Sequence, residues 1–122
     1  MLIKILIQMK IERIIQLLEA RVICGNHRIS DDISTAFSSD LMSDVLTLDT
    51  ENLLLITGLA NVQIIRTAEV AEIHHLVIVR NKKVNDDIVE LANSLNMIII
   101  ESPFSMFKAS GILYSNGLKP IY

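Results

Sequence analysis

Thr57-Gly58-Leu59-Ala60-Asn61 is the segment of this sequence best suited to hold a ligand. It falls between the apolar run Leu53-Leu54-Leu55-Ile56 and a stretch with helical spacing, and ligands of open α/β sheets bind where a strand ends and a helix begins. Gly58 would let the backbone approach an anion, the amides after Asn61 would donate to it, and Gln63, Arg66 and Thr67 extend the polar set. The same residues also suit a structural role, with Gly58 as a tight turn, Asn61 as a helix cap and Arg66 paired with Glu69 on a solvated face. A single glycine does not make a phosphate-binding loop. Neither G-x-x-x-x-G-K-S/T nor G-x-G-x-x-G occurs in the chain.

A second cluster is Ser39-Asp40-Leu41-Met42-Ser43-Asp44. Read as a helix, it sets Asp40 and Asp44 one turn apart, where like charges cost roughly 0.2–0.5 kcal/mol. A cation, a partner's arginine or plain solvation at the dipole-favoured end of the helix would offset that repulsion. A third cluster, Arg80-Asn81-Lys82-Lys83, follows the next apolar run at the same sheet edge, as an anion contact or a solvated turn. His74 and His75 are neighbours at the start of a strand and so point to opposite faces, which prevents joint chelation of one metal. Cys24 reads as a small apolar strand residue rather than a nucleophile. Phe107, Gly111 and Tyr114 share one helix face that would meet another helix or another chain, and a close contact there would account for a glycine inside a helix.

The elements that must position these residues are legible from periodicity. Ile11, Ile14, Ile15 and Leu18 lie at i, i+3, i+4 and i+7, an amphipathic helix. Arg21-Val22-Ile23-Cys24 then reads as a short strand ended by Gly25-Asn26. Alternation through Ile33, Thr35 and Phe37 predicts a half-exposed strand, followed by a helix over 40–46 capped by Ser38 or Ser39. Beyond it, apolar tetrads begin at 53, 76 and 97, each followed by a polar junction and a helical pattern. Such spacing suits strand, crossover helix and return, so parallel strands are expected at 53–57, 76–80 and 97–101, covered on both faces. The connecting helices are expected at 61–72, 85–95 and 103–115, with Gly117 and then Pro120 ending the fold.

Composition sets the outer bounds. Isoleucine, leucine and valine supply 44 of the 122 residues, against 2 Pro, 4 Gly and 1 Cys, which excludes disorder, collagen-like repetition and a disulfide scaffold. Eleven basic residues against 14 acidic ones, net −3, leave no electrostatic footprint for nucleic acid or anionic lipid. Apolar runs of four are far below the roughly 18 residues that cross a bilayer. Met1 to Gln8 is apolar but is broken by Lys4 and lacks a cleavage site, so it reads as an extension rather than a secretory signal. The expectation is an N-terminal extension over 1–10, one domain over 11–122, and a cytoplasmic location consistent with the lone cysteine.

The chain resembles the DRTGG-domain proteins, small α/β modules similar to the N-terminal domain of HPr kinase/phosphorylase. The resemblance runs from about Ile11 to Gly117. Three segments carry it: Ser39-Asp40-Leu41-Met42-Ser43-Asp44-Val45; Ile56-Thr57-Gly58-Leu59 with Asn61 and Gln63 to Glu69; and Ser105-Met106-Phe107 with Gly111 and Leu113-Tyr114. Where the family's Thr-Gly-Gly turn would stand this chain has Val79-Arg80-Asn81, and where its Asp-Arg would stand it has Gly58-Leu59. The resemblance implies a layered α/β/α domain with a mainly parallel sheet. It further implies a non-catalytic regulatory or dimerisation module, since such domains occur beside phosphotransacetylases and, with nucleotide-binding CBS domains, in inorganic pyrophosphatases.

A homodimer is expected first, with Asp40, Met42, Ser43, Phe107, Gly111 and Tyr114 at its interface and room for a protein partner. A sensor of an adenine nucleotide or other small anion, using Thr57, Gly58, Asn61, Gln63, Arg66 and Arg80, is second. Part of a phosphotransfer system without its catalytic domain is third. No catalytic residue, metal or resident cofactor is expected.

Overall fold

The apolar tetrads form the centre of a six-stranded sheet in the computed structural model, which describes residues 8–122. Residues 1–7 of the N-terminal extension lie outside the described residues. Strands β5 (Leu53–Thr57), β6 (His75–Ile78) and β7 (Ile98–Glu101) run parallel, in a register that sets Leu55 beside Leu76 and Leu76 beside Ile99. Every residue of the three is buried. Their side chains alternate between two cores, Leu53, Leu55, Leu76, Ile78 and Ile99 on one face and Leu54, Ile56, Val77, Ile98 and Ile100 on the other. An unbroken apolar strand is stable only when both faces are covered, so the all-apolar tetrads and the parallel pairing have one cause.

The sheet extends on both sides. β4 (Thr35–Ser38) pairs parallel with β5, and β8 (Lys119–Pro120) pairs parallel with β4 at the edge, where Pro120 costs no ladder bond. β2 (Arg21–Cys24) lies at the opposite edge, antiparallel to β7. The order is β2-β7-β6-β5-β4-β8. From β4 to β7 the chain steps one way across the sheet, and α2 (Met42–Val45), α3 (Val62–Val70) and α4 (Asp86–Ser94) supply side chains to the first core. From β7 it steps back past β4 to β8, and α5 (Met106–Ser115) packs on the second core beside α1 (Ile11–Leu17). One crossover hand accounts for both faces. The result is a layered α/β/α domain.

Three helices start on side-chain caps at the expected junctions. Asn61 accepts from the Ile64 amide (3.0 Å), Asn85 from Ile88 (3.1 Å) and Ser105 from Lys108 (3.1 Å). The helix expected over 103–115 therefore begins only at Met106. Met9 and Lys10, placed in the extension, form β1 and pair antiparallel with β3 (Asp32–Ile33), and Met9 is buried in the second core.

The segment 38–46 departs most from the sequence expectation. The helix shrinks to the single turn of α2, with Leu41 at its N-cap and no side-chain cap, while the Ser39 hydroxyl accepts from the Leu41 amide at 2.9 Å. Asp40 thus precedes the helix, and no shared helical turn sets it against Asp44. Its carboxylate has a better use, turned inward to the end of β5.

Candidate functional site

The carboxyl ends of β4, β5, β6 and β7 all face the same edge, and the junctions that follow them carry the polar residues singled out by sequence. At its centre Asp40 Oδ1 accepts from the Gly58 amide at 2.7 Å and from the Thr57 hydroxyl at 3.0 Å. The Leu59 amide donates to that hydroxyl oxygen (3.2 Å), which orients its proton toward Asp40. Arg80 closes the cluster, its Nη2 3.6 Å from Asp40 Oδ2 and 3.4 Å from the Gly58 carbonyl. Gly58 lets Arg80 come this close: a Cβ there would lie 2.5–2.7 Å from the guanidinium and would push it aside.

Arg80 reaches that position through an unusual turn. Arg80 and Asn81 both take left-handed backbone angles, φ 63° and 56°, a conformation that costs L-residues roughly 1–2 kcal/mol each. Their amides repay part of it by donating to the Phe104 carbonyl (2.7 Å) and the Ser102 carbonyl (3.1 Å). Glycine adopts positive φ freely, and the resemblance noted from the sequence would put the two glycines of a Thr-Gly-Gly turn here. The same turn ends β6 at Ile78 rather than at Arg80.

The loops after β6 and β7 leave toward opposite faces, so the crevice between them is a topological switch point, the usual ligand site of such sheets. Here the Arg80-Asn81 turn fills it. A pocket of about 140 Å³ remains, lined in part by Arg21, Asn81, Lys83 and Glu101. Glu101, only 5% exposed, binds Arg21 at 3.1 Å and the Val84 amide at 2.9 Å, with Lys83 at 3.7 Å. It anchors the 80–84 loop. Sequence reasoning missed it, although an acid directly after Ile98-Ile99-Ile100 signals a buried strand end.

The six expected ligand residues are only partly brought together. Thr57, Gly58 and Arg80 meet, whereas the Asn61 side chain is committed to its cap and Gln63 and Arg66 are exposed on α3. Arg66 pairs with Glu69 at 3.2 Å. The six expected interface residues divide as well. Met42 is half-buried against the first core and Ser43 is exposed beside it on α2, while Phe107, Gly111 and Tyr114 sit on α5, across the sheet. Phe107 is 90% exposed, Tyr114 68% and Tyr122 86%, around an apolar groove of about 430 Å³ that Phe37, Gly111 and Ile121 also line. A close contact of Gly111 within the chain is not found: a Cβ there would meet nothing within 4 Å.

A second polar cluster lies at the amino ends of the strands. His75 Nε2 is 2.9 Å from Asp31 Oδ2, and Arg28 Nη1 donates to the same oxygen at 2.7 Å. Burial pushes the His75 imidazole below its ordinary pKa, outweighing the opposing pull of Asp31. Burial also tends to raise Asp31, but His75 and Arg28 together hold its carboxyl below the usual range. An open cavity of about 780 Å³ adjoins them, with Glu51, Glu72 and His74 on its walls. Sequence alone linked none of these, since Asp31 and His75 are 44 positions apart. Cys24 is buried with its thiol 3.8 Å from the Met97 carbonyl, and burial raises its pKa, which suits the apolar strand role. Among the described residues no cluster of His, Cys, Asp or Glu is arranged to hold a metal ion, and no helix is long and apolar enough to cross a membrane.

Comparison with known proteins places this geometry. A search of curated proteins returns no match. Among solved structures the chain is similar to the CBS and DRTGG domains of the regulatory region of Clostridium perfringens pyrophosphatase, complexed with its activator diadenosine tetraphosphate. The TM-score is 0.71 at 18% identity, covering 85% of this chain and 45% of that one, so this chain spans less than half of that regulatory region. At that identity the likeness establishes the fold. The profile of the DRTGG domain matches residues 13–115, from α1 through the end of α5, and this chain therefore belongs to the DRTGG domain family.

Proposed function

We propose that this chain is a non-catalytic regulatory module that acts by self-association and through a protein partner, using the groove between α5 and the β4–β8 edge. One observation carries the reading: three aromatic side chains, Phe107, Tyr114 and Tyr122, stand more than two-thirds exposed around one apolar groove. Large exposed apolar patches mark interaction sites, and aromatic residues dominate the energetics of interfaces. A two-fold contact is the commonest way to cover such a face. The interface is thus centred on Phe107, Gly111 and Tyr114, with Asp40, Met42 and Ser43 outside it.

The molecule carries its own probe for this reading. It has no tryptophan, and both of its tyrosines line the groove. Diluting the protein from tens of micromolar to tens of nanomolar is expected to shift tyrosine emission as the groove becomes wet. The Phe107→Asp variant should start at the diluted value. Emission that is independent of concentration in both proteins would contradict self-association through this face.

A second reading, a sensor of an adenine nucleotide or other small anion at the carboxyl edge, is supported by the similar pyrophosphatase regulatory region, which is complexed with a dinucleotide activator. Thr57, Gly58 and Arg80 are its best-placed residues here. Ligand at about 100 times its dissociation constant would stabilise the fold by about 2.7 kcal/mol and raise the melting temperature by several degrees. The test is a melting series with AMP, ADP, ATP, diadenosine polyphosphates, phosphate and sulfate, and no shift with any of them would remove the reading. The third reading, part of a phosphotransfer system, has no supporting constellation among the described residues. No turnover of ATP by the isolated chain is expected.

A further inference from the structure

We propose that Asp40 is a built-in competitor at an anion site: its carboxylate occupies a cradle made by the Thr57 hydroxyl, the Gly58 amide and the Arg80 guanidinium that would otherwise take a phosphate group. The proposal rests on the anion-sensor reading and specifies how that site would be gated.

The donors converge. Gly58 N lies 2.7 Å and Thr57 Oγ1 3.0 Å from Asp40 Oδ1, and Arg80 Nη2 lies 3.6 Å from Oδ2. Thr57 is wholly buried and Gly58 is buried with it. Because the Leu59 amide already donates to the Thr57 oxygen, the hydroxyl proton is aimed outward as a donor. A hydroxyl and a backbone amide directed at one oxygen, with a guanidinium beside the other, form a receptor for an oxyanion, and a buried donor left without an acceptor is costly. In this chain the acceptor is supplied by Asp40. Phosphate, with more oxygens and more charge than one carboxylate, makes better use of Arg80, whose contact with Asp40 is long.

Asp40 is also carried on a segment able to yield. It stands between the end of β4, where the Ser39 amide donates to Ile56, and the single helical turn of α2. Its side chain is 38% exposed and the flanking Leu41 is 61% exposed, so the carboxylate is the main side-chain anchor of residues 40 and 41, beside the local bonds of the Leu41 backbone to Ser39, Asp44 and Val45. Gly58 contributes by having no side chain, which leaves Arg80 resting directly over the cradle.

The experiment is calorimetric titration of wild type, Asp40→Ala, Asp40→Asn and Asp40→Ala/Arg80→Gln with inorganic phosphate and with AMP, in low-salt buffer, each variant first checked by melting. Removing the competitor is expected to tighten phosphate binding at least tenfold over wild type in Asp40→Ala, and the added Arg80→Gln change is expected to reverse the gain. Asp40→Asn, which keeps the side-chain volume, serves if Asp40→Ala does not fold, and it too must bind more tightly. Gain for both AMP and phosphate supports a nucleotide site, whereas gain for phosphate alone supports the gated anion site and overturns its adenine specificity. If wild type binds and neither Asp40 variant binds more tightly, gating by Asp40 is wrong while the sensor reading stands. If no protein binds either probe at millimolar concentration, both are wrong.

Discussion

Acidification from about pH 8 to about pH 5 is expected to destabilise this protein, and His75 should supply an identifiable part of the loss. The His75 side chain is 9% exposed, at the start of β6, with Nε2 2.9 Å from Asp31. Burial lowers its pKa from 6.5, so the unfolded chain holds a proton that the folded chain does not. The sign follows directly: stability from His75 is fully present above pH 6.5 and is lost as pH falls through that value toward the lower folded pKa. One proton bounds the slope at about 1.4 kcal/mol per pH unit, or roughly 3–6 °C of melting temperature for a chain of this size. Asp31 contributes with the same sign, but only as pH approaches and passes below its unfolded value of 3.8, so the two effects separate. The assay is denaturant unfolding at constant ionic strength for wild type and His75→Gln, which retains an amide donor for Asp31 and does not titrate. The stability difference between the two should shrink steadily below pH 6.5. A difference that stays constant across the range would show that His75 is not buried neutral in the folded state.

The packing yields further expectations. Ile78→Ala and Ile99→Ala remove fully buried side chains from the central strands and should each cost roughly 2–5 kcal/mol in a denaturant melt, and a variant within about 1 kcal/mol of wild type would show the site to be outside the core. Gly25→Ala should be severe, roughly 2–4 kcal/mol, because Gly25 sits at φ 80° and a Cβ would lie 2.6 Å from Ile98 Cα, against backbone that cannot yield. Gly58→Ala should be mild, under about 1 kcal/mol, since its Cβ meets only the mobile end of Arg80, and a loss above about 2 kcal/mol would show Arg80 to be rigidly held.

The layered sheet was legible in the sequence because each central strand is apolar at four successive positions, and only burial on both faces tolerates that. Asn61 was legible as a cap because a cap is a local event, settled by a side chain and an amide three residues on. Asp40 was not. Its helical reading rested on local spacing, and the competing bond to Gly58 lies across 18 positions of chain. The same holds for Asp31 with His75 and for Glu101 with Val84 and Arg21, pairs that exist only after the sheet has assembled. Arg80-Asn81 shows a different limit: asparagine favours positive φ but nothing about arginine announces it, and the strain is tolerated because Phe104 and Ser102 offer their carbonyls. Helical spacing sets Phe107, Gly111 and Tyr114 on one face of α5, and they do line one groove; of the two contacts expected for Gly111, that with a helix of the same chain is not found, since the space around it is open.

Native mass spectrometry of the wild-type chain and of Phe107→Asp, sprayed at tens of micromolar without denaturant, reads the regulatory proposal most directly. Wild type should give a species at twice 13.7 kDa, and the variant should give only the 13.7 kDa species while melting where wild type melts once diluted to the single chain, because Phe107 packs against little within that chain. A wild-type spectrum containing only the 13.7 kDa species, or a variant that dimerises as well as wild type, would contradict self-association through the α5 groove.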